Sequence, residues 1–173
     1  MRVALIILHA DPARGGAERY TLDLAVALTR RGHDVSLLAT TFAPDIPPEI
    51  KTVPLTVSGR TRTRRYLRML DALDAHLATS KYDITHAMLP VRRCDIYHPH
   101  AGLAVATRLS RLKRWLNPRR VRYAAVEHKL LTSGNPPLVL CLSQYVKRDV
   151  CTKLNARLGS PVVRDIYLVL ATD

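Results

Sequence analysis

The chain has 173 residues, 47% of them apolar, and carries 27 lysines and arginines against 14 acidic residues, a net charge of +13. That length suits one domain with a core of its own, burying roughly 70% of the surface the unfolded chain exposes, and the apolar content excludes a disordered chain. No apolar run reaches the ~18 residues of a membrane-spanning helix. Three scattered cysteines without a C-x-x-C pair (Cys94, Cys141 and Cys151) argue against a disulfide framework or structural zinc site and for a reducing cytoplasm.

Val3 to Leu8 is a continuous apolar run after Arg2. It is shorter than the apolar core of a secretory signal and is followed by Asp11 and Arg14, so a buried first strand is the preferred reading. A loop with Pro12, Gly15 and Gly16 leads to a helix from about Ala17 to Arg31, with Tyr20, Leu24, Ala27 and Leu28 on one face and Gly32 as its stop. Val35 to Ala39 and Ile50 to Val53 read as strands. Residues 61–79 form a helix with Tyr66, Leu70, Leu73 and Leu77 as its stripe. Short strands are expected at Asp83 to Ala87 and Asp95 to Tyr97. A helical stretch over 103–131 is broken at Asn117–Pro118. A buried strand follows at Leu138 to Leu142, then a helix capped by Ser143, and a last strand at Ile166 to Leu170. Strands alternating with helices predict an α/β domain with a mostly parallel sheet, whose ligands would lie at the carboxyl ends of the strands.

Three constellations carry chemistry. The loop His9 to Gly16 brings two glycines to a helix start, where free N–H groups favour an anion and the backbone can approach a ligand closely. It is neither G-x-G-x-x-G nor a P-loop, and taken alone a flexible connection is the commoner explanation of it. His98-Pro99-His100 places two histidines at i and i+2, which on extended chain face the same side. A metal, an acid–base or hydrogen-bonding role in an active site, and a plain loop all remain open for this pair, although zinc would need further ligands. The third is the basic stretch 103–123. Arg108, Arg111, Lys113, Arg114, Arg119, Arg120 and Arg122 rim an apolar stripe of Val105, Leu109, Leu112 and Leu116 beside Trp115, with no acid between. Such a helix suits an anionic headgroup layer, and equally a core helix with a solvated basic face. Arg60, Arg62, Arg64, Arg65 and Arg68 make a second cluster. His9 could line a cleft, His33 reads as structural, and the cysteines read as core thiols.

The stretch Gly15-Gly16-Ala17-Glu18-Arg19, then Leu24-Ala25-x-x-Leu28, then Arg31-Gly32-His33-Asp34-Val35, resembles the opening of family 4 glycosyltransferases with the GT-B fold. Leu140-Cys141-Leu142-Ser143 followed by Val146-Lys147-Arg148-Asp149 is similar to the later strand–Ser–helix step of the same domain. Cys94-Asp95-Ile96-Tyr97 and Arg122-Tyr123-Ala124-Ala125-Val126-Glu127 resemble the branch of the lipopolysaccharide-core glucosyltransferases. The likeness spans about residues 1–157.

The resemblance implies a Rossmann-like, doubly wound sheet with helices on both faces, one half of a GT-B fold. It covers 1–160, with 161–173 a tail that departs from the family pattern. It implies hexosyl transfer from a nucleotide sugar to a lipid or polysaccharide acceptor, and the two basic clusters add the inner, cytoplasmic face of an anionic membrane as the expected place. Gly15 and Gly16 would lie against the donor diphosphate or sugar, and His98 and His100 would be the catalytic side chains. Neither cofactor nor metal is expected. The second, donor-binding domain with its Glu-x7-Glu motif is not found in this sequence, so the expectation is either a chain truncated before that domain or a separate donor domain as partner. The alternatives are a non-catalytic remnant and a basic module for anionic partners. A nucleic acid fits least, because zinc-finger spacing and an RNP motif are missing and a single Phe and a single Trp are available for stacking.

Overall fold

The computed structural model describes residues 1–100, 102–104, 118–141, 143–158 and 166–168, with the main chain alone for 149, 153–158 and 166–168. The chain divides into two compact units, Met1–Leu89 and Pro90–Asp173.

The first unit holds β1 (Arg2–Ile6), α1 (Gly16–Arg30), β2 (Asp34–Ala39), β3 (Lys51–Pro54), α2 (Arg62–Thr79) and β4 (Ile84–Ala87). All its strand pairings are parallel, in the order β3-β2-β1-β4, with Val3 opposite Val35 on one side and Ile84 on the other. The β1 residues Val3 to Ile6 are buried, the even positions as fully as the odd, so both faces of the central strand are covered. That explains why the run reads as continuously apolar rather than alternating. Val3, Leu5 and Ile7 pack with Ala25 and the flanking Tyr20, Leu24 and Leu28 of α1. The path from β3 to β4 crosses back over β2 and β1. A right-handed crossover in that reversed direction puts α2 on the opposite face, where Ala4 and Ile6 need cover and where Tyr66, Met69, Leu70 and Leu73 are buried. The strand order reverses between β1 and β4, the position at which open α/β sheets bind ligands.

Two details differ from the sequence expectation. The buried line of α1 is Thr21 and Ala25, while Ala27 is exposed. The helix sits closest to the sheet along its small residues, and the Thr21 hydroxyl is satisfied by donating to the Ala17 carbonyl at 2.6 Å. In α2, Met69 joins the buried stripe and Leu77 is half-buried. The stop of α1 falls where expected. Gly32 has φ +81, its N–H donates to the Thr29 carbonyl at 2.9 Å, and His33 N–H donates to the Leu28 carbonyl at 3.2 Å. This is a Schellman closure, which assigns His33 a main-chain role.

The second unit holds β5 (Ile96–Tyr97), α3 (Pro118–Leu131), β6 (Leu138–Cys141), α4 (Gln144–Leu158) and β7 (Ile166–Leu168). β6 pairs in parallel with β5 and β7. Its core gathers Tyr97, Leu103, Leu130, Leu131, Val139, Cys141 and Val150. Pro118 is the first described residue of α3. Ser143 caps α4, its hydroxyl accepting from Val146 N–H at 3.2 Å. Residues 105–117 of the expected basic helix, and the ends of the two last expected strands, lie outside the described residues.

Candidate functional site

The loop between β1 and α1 is pinned in its first half and open in its second. The β1–β2 ladder continues beyond both strands. Thr40 N–H donates to the Leu8 carbonyl (3.0 Å), Ala10 N–H to the Thr41 carbonyl (2.8 Å) and Ala43 N–H to the Ala10 carbonyl (2.8 Å). The Thr40 hydroxyl also donates to the Leu8 carbonyl, at 2.5 Å. His9, half-buried, has Nδ1 2.8 Å from the Thr41 hydroxyl. Asp11 then starts a tight turn. Its carboxylate accepts from Ala13 N–H at 3.0 Å, and its carbonyl from Arg14 N–H at 3.0 Å, the bonding an Asp-Pro pair favours at a turn's opening.

Gly15 and Gly16 follow, both exposed, with the exposed Arg14 and Arg19 beside them. Gly15 is the N-cap of α1 and has φ 168, extended backbone that any residue adopts, and no side chain caps the helix there. A methyl group on Gly15 would meet the flexible end of Glu18, with Oε2 at 3.1 Å, and one on Gly16 would meet nothing within 4 Å. The fold itself therefore requires glycine at neither position. First-turn N–H groups without a side-chain cap, beside two arginines, are groups of the kind that attract an anion.

The expected pair His98 and His100 belongs to the second unit, just beyond β5. Their rings stack, with centroids 4.3 Å apart and planes at 22°. The two histidines thus share a side, as expected from i and i+2, but the chain between them is not extended. His100 N–H donates to the His98 carbonyl and Gly102 N–H to the Pro99 carbonyl, both at 3.0 Å, and Gly102 has φ +76. The turn, rather than strand alternation, brings the rings together. His98 is fully buried and His100 is half-buried. Among the described residues no group of three or more His, Cys, Asp or Glu could hold a metal ion.

Of the basic face, Arg119, Arg120 and Arg122 lie on α3, while Arg108, Arg111, Lys113 and Arg114 fall outside the described residues. Arg119 donates to the Tyr123 hydroxyl at 2.9 Å and lays its guanidinium over that ring, 5.0 Å from the centroid. Arg120 and Arg122 are exposed. No helix among the described residues is long and apolar enough to cross a membrane.

Sequence reasoning missed Thr40 and Thr41, two hydroxyls at the carboxyl end of β2. It also missed a buried pair in the second unit: the Tyr97 hydroxyl donates to Glu127 Oε1 at 2.5 Å, and both residues are almost wholly excluded from solvent. The available signal was charge: Glu127 is the sole acid between Asp95 and Asp149. Burial pushes the Cys141 thiol up to about 11, with Cys151 adding to the shift and Lys147 opposing it. The Cys94 thiol is raised as well, by burial first and then by Asp95.

A family model described as Glycosyltransferase Family 4 matches residues 14–159. Among solved structures, WaaG, a glycosyltransferase involved in lipopolysaccharide biosynthesis, is similar with a TM-score of 0.80 and 21% identity, over 95% of this chain and 44% of that one. A sucrose-phosphate synthase from Thermosynechococcus elongatus is similar with a TM-score of 0.62 and 18% identity, over 99% of this chain and 48% of that one. The chain thus spans less than half the length of each. Both likenesses show the fold: a Rossmann-like, doubly wound α/β architecture equivalent to one half of a GT-B protein. No curated protein matches the sequence.

Proposed function

The chain belongs to glycosyltransferase family 4, and from that premise we propose that it supplies the acceptor side of a reaction moving a hexosyl group from a nucleotide sugar to a lipid or polysaccharide acceptor. The observation that carries this reading is the pair Gly15–Gly16. Gly16 leaves open space where a Cβ would stand, at an uncapped helix start beyond the carboxyl end of β1. Glycine without a demand from the fold is what close approach of a diphosphate or sugar to main-chain N–H groups requires.

In this reading the acceptor hydroxyl oxygen attacks the anomeric carbon, and the bond from that carbon to the diphosphate oxygen breaks. The hydroxyl proton leaves to a positioned base, for which His98 and His100 are the candidates. Charge developing on the departing diphosphate is met by the N–H groups of the α1 start and by basic side chains, so the reaction needs no metal. The donor itself would be held by a second, donor-binding half. Arg120, Arg122 and the neighbouring basic residues would face anionic headgroups at the inner surface of the membrane, each contributing about 1 kcal/mol near such a surface.

The test mixes the purified chain with a panel of nucleotide sugars, alone and with a donor half supplied, and follows binding and transfer. Saturable binding that is weakened by Gly16→Ala supports the reading. Silence across the panel, with a donor half present, would sink it. The +13 charge favours a second reading, a non-catalytic basic module. Steeply salt-dependent binding to duplex DNA at defined stoichiometry, with no response to nucleotide sugars, would favour that instead.

A further inference from the structure

We infer that Glu127 is a positioning residue: through its bond to the Tyr97 hydroxyl it fixes the end of β5 and so sets the placement of the stacked His98 and His100 rings. The inference rests on the reading of those two histidines as the acting side chains.

Glu127 stands alone in its charge. Residues 96–148 contain ten lysines and arginines and one acid, and that acid is the one fully buried. Burying a carboxyl group costs several kcal/mol unless it is well hydrogen-bonded. Helix anchoring does not require it, because Leu130 and Leu131 on the same helix are already buried in the core. What a carboxyl adds is direction. Its Oε1 holds the Tyr97 hydroxyl at 2.5 Å and thereby fixes the ring of the last residue of β5.

His98 is the next residue in the chain. It is fully buried and stacked on His100, and the turn closed by His100 and Gly102 N–H groups holds it from the other side. Placement of the ring pair is therefore bounded before it by the Tyr97–Glu127 bond and after it by that turn. Acting groups need such support, since an error of about 1 Å costs on the order of a hundredfold in rate.

The test uses the full chain, isotope-labelled, and reads the two imidazoles by NMR. Wild type should show a nuclear Overhauser contact between the His98 and His100 rings and resonances shifted by each other's ring current; their absence in wild type overturns the inference. Tyr97→Phe removes the bond and keeps the ring, and both signatures should weaken or disappear. It also leaves a carboxyl group buried without that donor, so stability should fall. The double variant Tyr97→Phe/Glu127→Met removes both halves of the bond, and the ring contact should stay lost in it; a folded double variant with the stack intact overturns the inference. Glu127→Gln keeps an acceptor for the tyrosine and should keep the stack. Should the other variants fail to fold, loss of the stack in Glu127→Gln with the Tyr97 hydroxyl still protected from exchange overturns it. With a donor half supplied, the double variant should lower kcat about tenfold to a hundredfold with little change in KM for the donor. Failure of the transferase reading would instead leave the ring pair and its response to Tyr97→Phe intact, with transfer absent from every form.

Discussion

His9 Nδ1 lies 2.8 Å from the hydroxyl of Thr41, a side-chain bond that ties the loop after β1 to the loop after β2. It stands at the point where main-chain bonding between the two segments is about to end, since the last parallel bridge pairs Ala10 with Phe42. Thr41→Val should cost about 1 kcal/mol and speed amide exchange over residues 9–16 without disturbing β1 and β2. Unchanged exchange in that loop would mean that the main-chain bonds alone fix it.

Much of this was legible in the sequence, for identifiable reasons. β1 was readable because a strand covered on both faces is apolar at every position. The end of α1 was readable because Gly32 answers a local need, a positive φ in a Schellman closure. The Thr21–Ala25 line of α1 was not, because close packing along small residues carries no hydrophobic periodicity. The stacked histidines were found by spacing, but the extended chain that the spacing assumed is replaced by a turn, closed by the His100 N–H to the His98 carbonyl and the Gly102 N–H to the Pro99 carbonyl. Thr41 and Glu127 find their partners 32 and 30 residues away, and no local pattern announces such a bond.

The Asp34–Lys51 ion pair, 2.8 Å apart with both side chains substantially exposed, joins the first residues of β2 and β3. Lys51 holds the Asp34 carboxyl below its ordinary value. A depressed folded-state value means the stabilisation is present above the unfolded carboxyl's ordinary pKa of about 4 and is lost as pH falls through the lower folded value. Because the pair is exposed, Asp34→Asn should cost less than ~1 kcal/mol at pH 7. Urea titrations should show the gap from wild type closing below about pH 4 and shrinking in high salt. A gap of constant size from pH 7 to pH 3 would assign the effect to something other than this pair.

Cys141 lies wholly inside the second unit's core, with its thiol raised to about 11. Only the thiolate reacts, and burial disfavours that form. Maleimide labelling of the native chain should therefore modify the half-buried Cys151 about a hundredfold faster than Cys141, with the difference vanishing in denaturant. Equal native rates would place the end of β6 nearer solvent than described.

The two ends of α1 offer a paired test of what each glycine is for. Gly32 closes the helix at φ +81, a conformation that costs an L-residue roughly 1 kcal/mol or more, so Gly32→Ala should lower stability by about that amount and leave anion binding at the far end of the helix alone. Gly16 opens the helix, where a Cβ meets nothing. Gly16→Ala should therefore hold or raise stability by about 0.4–1 kcal/mol, because alanine loses less backbone entropy on folding. If the space beside Gly16 exists for a ligand, the same substitution should weaken nucleotide-sugar binding about tenfold or more, because a methyl group stands where the diphosphate must approach. Stability and binding would then move in opposite directions. Equal affinity in Gly16→Ala and wild type would remove the glycine pair from the proposed donor contact and leave it as a connection between strand and helix.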